Sequence, residues 1–169
     1  MIEENTVWTK LESTALGDFV ASSTWAFPTI ETIHVIALVT VLGSILVMDL
    51  RLLGLTAKDY AVTKMSRDTL RLTWGAFILA VISGSLLFIS EASRLVYNEY
   101  FLYKMGLIVL AGINMAVFHL MTWKNVAEWD TGTPIPTSAK LAGGLSIVFW
   151  MVIVLFGRTV GFTLGAFYQ

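Results

Sequence analysis

The sequence predicts an all-α integral membrane protein: an antiparallel four-helix transmembrane bundle preceded by an N-terminal amphipathic interfacial helix. Three observations carry that expectation. Hydrophobic residues make up 56% of the 169 and charged residues only 14%, a balance unsuited to a water-soluble domain of this size. Four apolar stretches each approach the roughly 20 residues that cross a hydrocarbon core about 30 Å thick. Lysine and arginine crowd into two of the connecting segments, as they do in multi-pass proteins. The chain 1–169 is then a single membrane domain.

Each element has its own warrant. Val7, Trp8, Leu11, Ala15, Leu16, Phe19 and Val20 recur at helical spacing, with Glu12, Ser13 and Asp18 between them. This predicts an amphipathic helix over 6–21, lying in the outer interface or docked as a cap on the bundle. The Met1-Ile2-Glu3-Glu4 start has no basic n-region, so no removable signal peptide is expected. Ser22, Ser23 and Thr24 end the pattern, and Pro28 suits the first turn of the next helix, where a missing N–H costs nothing. Spans are expected at about 27–48, 72–90, 101–122 and 141–162, and Thr133-Pro134-Ile135-Pro136-Thr137 marks the turn into the last.

Arg51, Lys58, Lys64, Arg67 and Arg71 lie between the first two spans, and Lys124 and Lys140 between the last two; the opposite side has Lys10 and Arg94. The positive-inside rule therefore predicts a protein of the bacterial inner membrane with both N- and C-termini periplasmic. A net charge of −1 gives no sign of nucleic-acid binding, and membrane lipid is the partner the composition demands. With no cysteine there is no disulfide framework, thiolate metal site or iron–sulfur cluster. Metal chemistry has only nitrogen, oxygen or methionine sulfur to use.

Ionisable residues inside spans are expensive to keep and mark candidate sites. The two histidines are His34, early in the first span, and His119, late in the third. His34 to Asp49 and Lys104 to His119 are both intervals of 15 residues. At about 1.5 Å per residue each covers roughly 22 Å. His34 and Lys104 are thus expected at one level, near the outer face, and His119 and Asp49 at another. One haem held by both histidines of a chain does not fit that spacing. Glu31, three residues before His34, can orient its imidazole. Arg158, after a long apolar run, is expected as a buried cation in the same outer cluster. Asp49, Arg51 and Arg71 are expected to form an ion-pair rim at the inner interface, Asn114 to be interhelical glue, and His119 to be either a structural residue bonded to Asp49 or to a backbone carbonyl, or a ligand of a second cofactor.

The segment Ser23-Thr24-Trp25-Ala26-Phe27-Pro28-Thr29-Ile30-Glu31-Thr32-Ile33-His34-Val35, then Asp49-Leu50-Arg51-Leu52-Leu53-Gly54, Phe101 with Lys104, the Asn114 to His119 stretch and Gly157-Arg158 resemble a family of uncharacterised four-helix bacterial inner-membrane proteins. A weaker likeness extends to HemJ-type protoporphyrinogen oxidase and to CopD-like membrane proteins, whose order of residues is matched by His34, Gly43, Arg51, Lys104 and His119. Glu31 stands where the HemJ type tends to have a lysine. The resemblance implies b-type haem binding rather than the oxidase activity.

Three functions are compatible with this pattern. The first is a b-type cytochrome engaged in electron transfer, with His34 as axial ligand to the metal and Glu31 orienting it. Arg158 and Lys104 would neutralise propionates, Lys104 alternatively serving as sixth ligand, and a quinone or a periplasmic protein would be the redox partner. The second is a transporter or channel for a metal ion or proton, and the third a non-catalytic membrane subunit. The many small residues favour a homo-oligomer in any of them.

Overall fold

The computed structural model describes residues 6–166. Met1–Glu4 and both chain ends lie outside them, so the signal-peptide expectation has no structural counterpart. The single helix expected over 6–21 is two: α1 (Val7–Glu12) and α2 (Ala15–Ser22). The break has a local cause. The Ser13 and Thr14 hydroxyls donate to the Lys10 and Leu11 carbonyls, and Thr14 then accepts from the Gly17 amide at 3.2 Å as a fresh N-cap. Gly17 permits the fold-back, because a Cβ there would lie 2.5 Å from the Glu12 carbonyl oxygen.

Four long helices follow: α3 (Ala26–Leu52), α4 (Val62–Ser90), α6 (Glu99–Val117) and α7 (Thr137–Ala166), with the short α5 (Ala92–Leu95) between α4 and α6. A π-helical turn, Phe118–Thr122, and a 3-10 segment, Trp123–Glu128, continue α6. The described residues are otherwise turns and loops. These four helical stretches are long and apolar enough to cross a membrane. Helix α4 starts ten residues before the span expected at 72, because its first turns are charged and fall outside an apolar window. A side chain distant in sequence fixes that start: Asp130 accepts from the Thr63 amide and hydroxyl, each at 2.8 Å.

The packing is uneven. α3 with α4, and α6 with α7, form two close pairs joined by α3 against α7, whereas the contacts of α6 with α3 and α4 are sparse. Polar bonds register each pair. His34 meets Ser83 and Thr73 meets Ser44 in the first, and Asn98 meets Thr163 and Asn114 meets the Ala142 carbonyl in the second. The α3–α7 contact passes through Gly143, where an added Cβ would come within 3.2 Å of the Asp49 carbonyl oxygen.

At one end, the cap end, α1 and α2 are docked. Trp8 stands edge-on to Phe88 at 6.0 Å, and Glu12 accepts from the Ser93 amide and hydroxyl at 2.7 and 2.8 Å. At the other, the loop end, Leu52, Val62, Phe118, Trp129, Ile135 and Ala139 form a hydrophobic core. Arg51, 3% exposed, does not form the expected rim with Asp49. Its guanidinium instead donates to the carbonyls of Tyr60, Lys58 and Asp130 at 2.9, 3.2 and 3.3 Å. The turn beside it explains the direction: Leu55 N–H reaches Leu50 O, Gly54 N–H reaches Arg51 O, and Gly54 has φ +74°. This Schellman ending folds the loop back over the helix, bringing its carbonyls to the arginine.

Candidate functional site

Two polar layers divide the bundle, and each sequence-predicted residue falls in one of them or outside both. The cap-end layer centres on His34, half-buried on α3. Its Nδ1 lies 3.0 Å from the Ser83 hydroxyl of α4. Ser83 has one proton to give, and its closest acceptor is the Leu79 carbonyl at 2.7 Å. The Nδ1–H tautomer then donates toward Ser83, with the Ala80 carbonyl a second acceptor for the ring, and leaves the Nε2 lone pair. The ring lies against Gly84, where a Cβ would come within 2.9 Å of Cε1, so only glycine admits the imidazole here.

Lys104 enters the same layer from α6. Half-buried, it runs past Gly157 of α7 and holds Nζ 4.9 Å over the Phe101 ring. Lys104 and Glu31 are the charged groups within electrostatic reach of the His34 ring. Glu31 itself is exposed, and it acts on His34 through charge alone. Arg158 departs from expectation. It is exposed, its guanidinium 4.7 Å over the Phe162 ring, and no ion pair joins it to Glu31. Ile153 and Val160 take the inward face of α7, which turns Arg158 outward.

The loop-end layer is a cavity of about 180 Å³ between all four long helices. Its walls are mostly apolar, with Trp74, Phe77, Phe118 and Trp150 supplying aromatic surface. Asp49 lines it at 5% exposure, and its Oδ2 has no hydrogen-bond partner. Ser146 hydrogen-bonds the carboxyl from α7. His119 lines the cavity as well, on the π-helical turn, with Nδ1 2.9 Å from the Met115 carbonyl. A carbonyl only accepts, so Nδ1 carries the proton and Nε2 is again left as an acceptor. Asn114 spends its amide on the Ala142 carbonyl at 2.9 Å, the interhelical role expected of it.

The structure thus brings Lys104 to His34 and Asp49 to His119, and leaves Arg158 apart from both. Sequence reasoning did not single out Ser83, Ser146 or Asp130 as functional. Ser83-Gly84-Ser85 was a visible signal, since a polar and small-residue cluster in mid-span needs a neighbour. Among the described residues no three His, Asp or Glu side chains gather as a metal cage.

A helical bundle with four membrane-length helices, a His–Ser–Lys layer at one end and a carboxyl-lined cavity at the other is the class of protein defined here. The chain belongs to the family of unknown function DUF6644, whose family model matches residues 10–163. No curated protein and no solved structure matches it.

Proposed function

We propose that this is a b-type haem-binding protein of the bacterial inner membrane, carrying electrons between the quinone pool and a periplasmic partner. The observation that carries the reading is the state of His34. Its Nδ1–H is engaged by Ser83, Nε2 is a free donor of electrons, and a second nitrogen base, Lys104, shares its layer. A haem iron needs only axial donors from the protein, so the lack of a three-residue cage among the described side chains is consistent with it. The donor set fits: His34 would give the axial nitrogen, and Lys104 would either complete the ligation or pair with a propionate. Bound haem would supply a one-electron couple. Ser83 fixes the imidazole rotation and tautomer, and Glu31 precedes His34 by three residues on α3.

The antiparallel bundle is part of the proposal. His34 with Ser83 and Ser44 with Thr73 are paired as antiparallel neighbours are, and so are Asn98 with Thr163 and Asn114 with Ala142. The basic residues around the loop end support a cytosolic loop end and periplasmic termini. The test is the visible spectrum of detergent-purified protein from a haem-replete host. A Soret band with reducible α and β bands is expected; colourless protein would overturn the reading.

A further inference from the structure

The loop-end cavity is lined by α3 from Val41 to Leu52, and Asp49 within it lies about 22 Å along that helix from His34. Ser44 and Thr73 direct their hydroxyl protons at protein acceptors, and Asn114 gives its amide to Ala142. The buried side-chain atom without a partner is an acceptor, Asp49 Oδ2, and the exposed His119 lines the same cavity with the Nε2 left over by its bond to Met115. A buried carboxyl oxygen with nothing to accept from is costly. An occupant must therefore bring donors. It must also be small and flat: about 180 Å³ is close to the roughly 150 Å³ cavity that takes up one benzene ring, and well under the roughly 300–1,000 Å³ of pockets for drug-sized ligands.

The mouth says where such a molecule comes from. Leu70 and Trp74 on α4, Gly112 and Met115 on α6, and His119 on the π-helical turn after it are the exposed lining residues. They flank the seam along which α4 and α6 scarcely touch. This opening is lateral, facing the region that lipid tails would occupy around membrane-length helices.

From these observations we infer that the loop-end cavity binds a hydroxylated aromatic ring, of the hydroquinone or phenol class, which enters from the lipid between α4 and α6 and donates a hydroxyl to Asp49. Trp74, Phe77 and Trp150 sandwich the ring, and His119 accepts from a second hydroxyl where the ring has one. The oxidised quinone form, which has only carbonyl acceptors, is the poorer ligand. The site is separate from the His34 layer.

Isothermal titration calorimetry on the full-length protein in detergent tests it, with 2,3-dimethylhydroquinone, its di-O-methyl ether and the matching quinone as probes. The hydroquinone should bind about tenfold or more tighter than either, the cost of leaving one buried carboxyl oxygen without its hydrogen bond being of that order. Asp49→Asn should lower hydroquinone affinity by a similar factor. Gly112→Leu, which keeps Asp49 and whose first added atom meets nothing within 4 Å, should fill the cavity and abolish binding. Equal binding of hydroquinone, ether and quinone, or binding untouched by Gly112→Leu, would overturn the inference. A decyl-tailed hydroquinone distinguishes the sources: tighter binding than the short probe assigns a lipid-dissolved quinol, equal binding a free phenol, and both support the ring site. Because the readout is heat, colourless protein that still binds the ring refutes the haem reading alone.

Discussion

Gly84 is the position where a single methyl group should report on the His34 layer. A Cβ there would sit 2.9 Å from His34 Cε1, 0.5 Å inside the 3.4 Å at which ordinary contact begins. The imidazole cannot absorb that shift freely, because its Nδ1 is bonded to Ser83 at 3.0 Å. Moving the ring stretches the bond toward about 3.5 Å, where it ceases to count as one. The lost bond costs about 1 kcal/mol and the overpacking about 1–3 kcal/mol, for a total of about 2–4 kcal/mol. Against this, Gly→Ala in a helix interior gains up to about 1 kcal/mol. Gly75 lies in the same helix, with nothing within 4 Å of an added Cβ, so Gly75→Ala keeps that gain undiluted. The net loss at Gly84 is about 1–3 kcal/mol, so in thermal unfolding of detergent-solubilised protein, at about 2–4 °C per kcal/mol, Gly84→Ala should lower Tm by roughly 2–12 °C while Gly75→Ala raises it by a few degrees. Ser83→Ala combined with Gly84→Ala should be non-additive by about 0.5 kcal/mol or more, since both act through one ring. If Gly84→Ala and Gly75→Ala proved equally stable, the packing argument around His34 would be refuted.

Other outcomes follow from the same geometry. Arg51→Lys keeps the charge but not the fork that reaches Tyr60 through Nε and Lys58 and Asp130 through Nη2, and with at least one charged bond of about 1.5–3 kcal/mol lost it should lower Tm by at least 3 °C or so; wild-type stability would contradict the clamp. Glu12→Ala removes the one carboxylate oxygen that accepts both Ser93 donors, so amides of α1 should exchange faster by hydrogen–deuterium exchange while those of α3 keep their protection; unchanged α1 protection would count against docking. Arg158→Ala should change stability by no more than about 0.5 kcal/mol in the same melts, since the residue is exposed, and a larger loss would mean that the guanidinium has a buried partner.

How far the residues alone carried the structure depends on which coordinate was being read. Position along a helix was legible, because helix rise is fixed. The equal 15-residue intervals therefore placed Lys104 with His34 and His119 with Asp49. Rotation about a helix axis was not. Seventeen mostly apolar residues before Arg158 set its depth but not its azimuth, and the structure turns it outward. Arg51 shows a different limit: a neighbour two residues away in sequence suggested an ion pair with Asp49, whereas the Schellman turn brings it the Lys58 and Tyr60 carbonyls and the segment before α7 adds that of Asp130. The α1–α2 break rests on Ser13 and Thr14 side chains competing for backbone groups, which apolar periodicity does not register. The cavity was invisible for a simpler reason. It exists because α6 leans on α7 and leaves α4, a choice made by packing rather than by any one residue.

The two histidines separate the central proposal most sharply, because both present a free Nε2 yet lie in different layers. The decisive measurement is the reduced-minus-oxidised visible spectrum of purified His34→Ala beside that of His119→Ala, normalised to protein. A haem centred on His34 predicts that the α, β and Soret bands vanish in the first and persist in the second. Bands retained in His34→Ala, or lost only in His119→Ala, would contradict it.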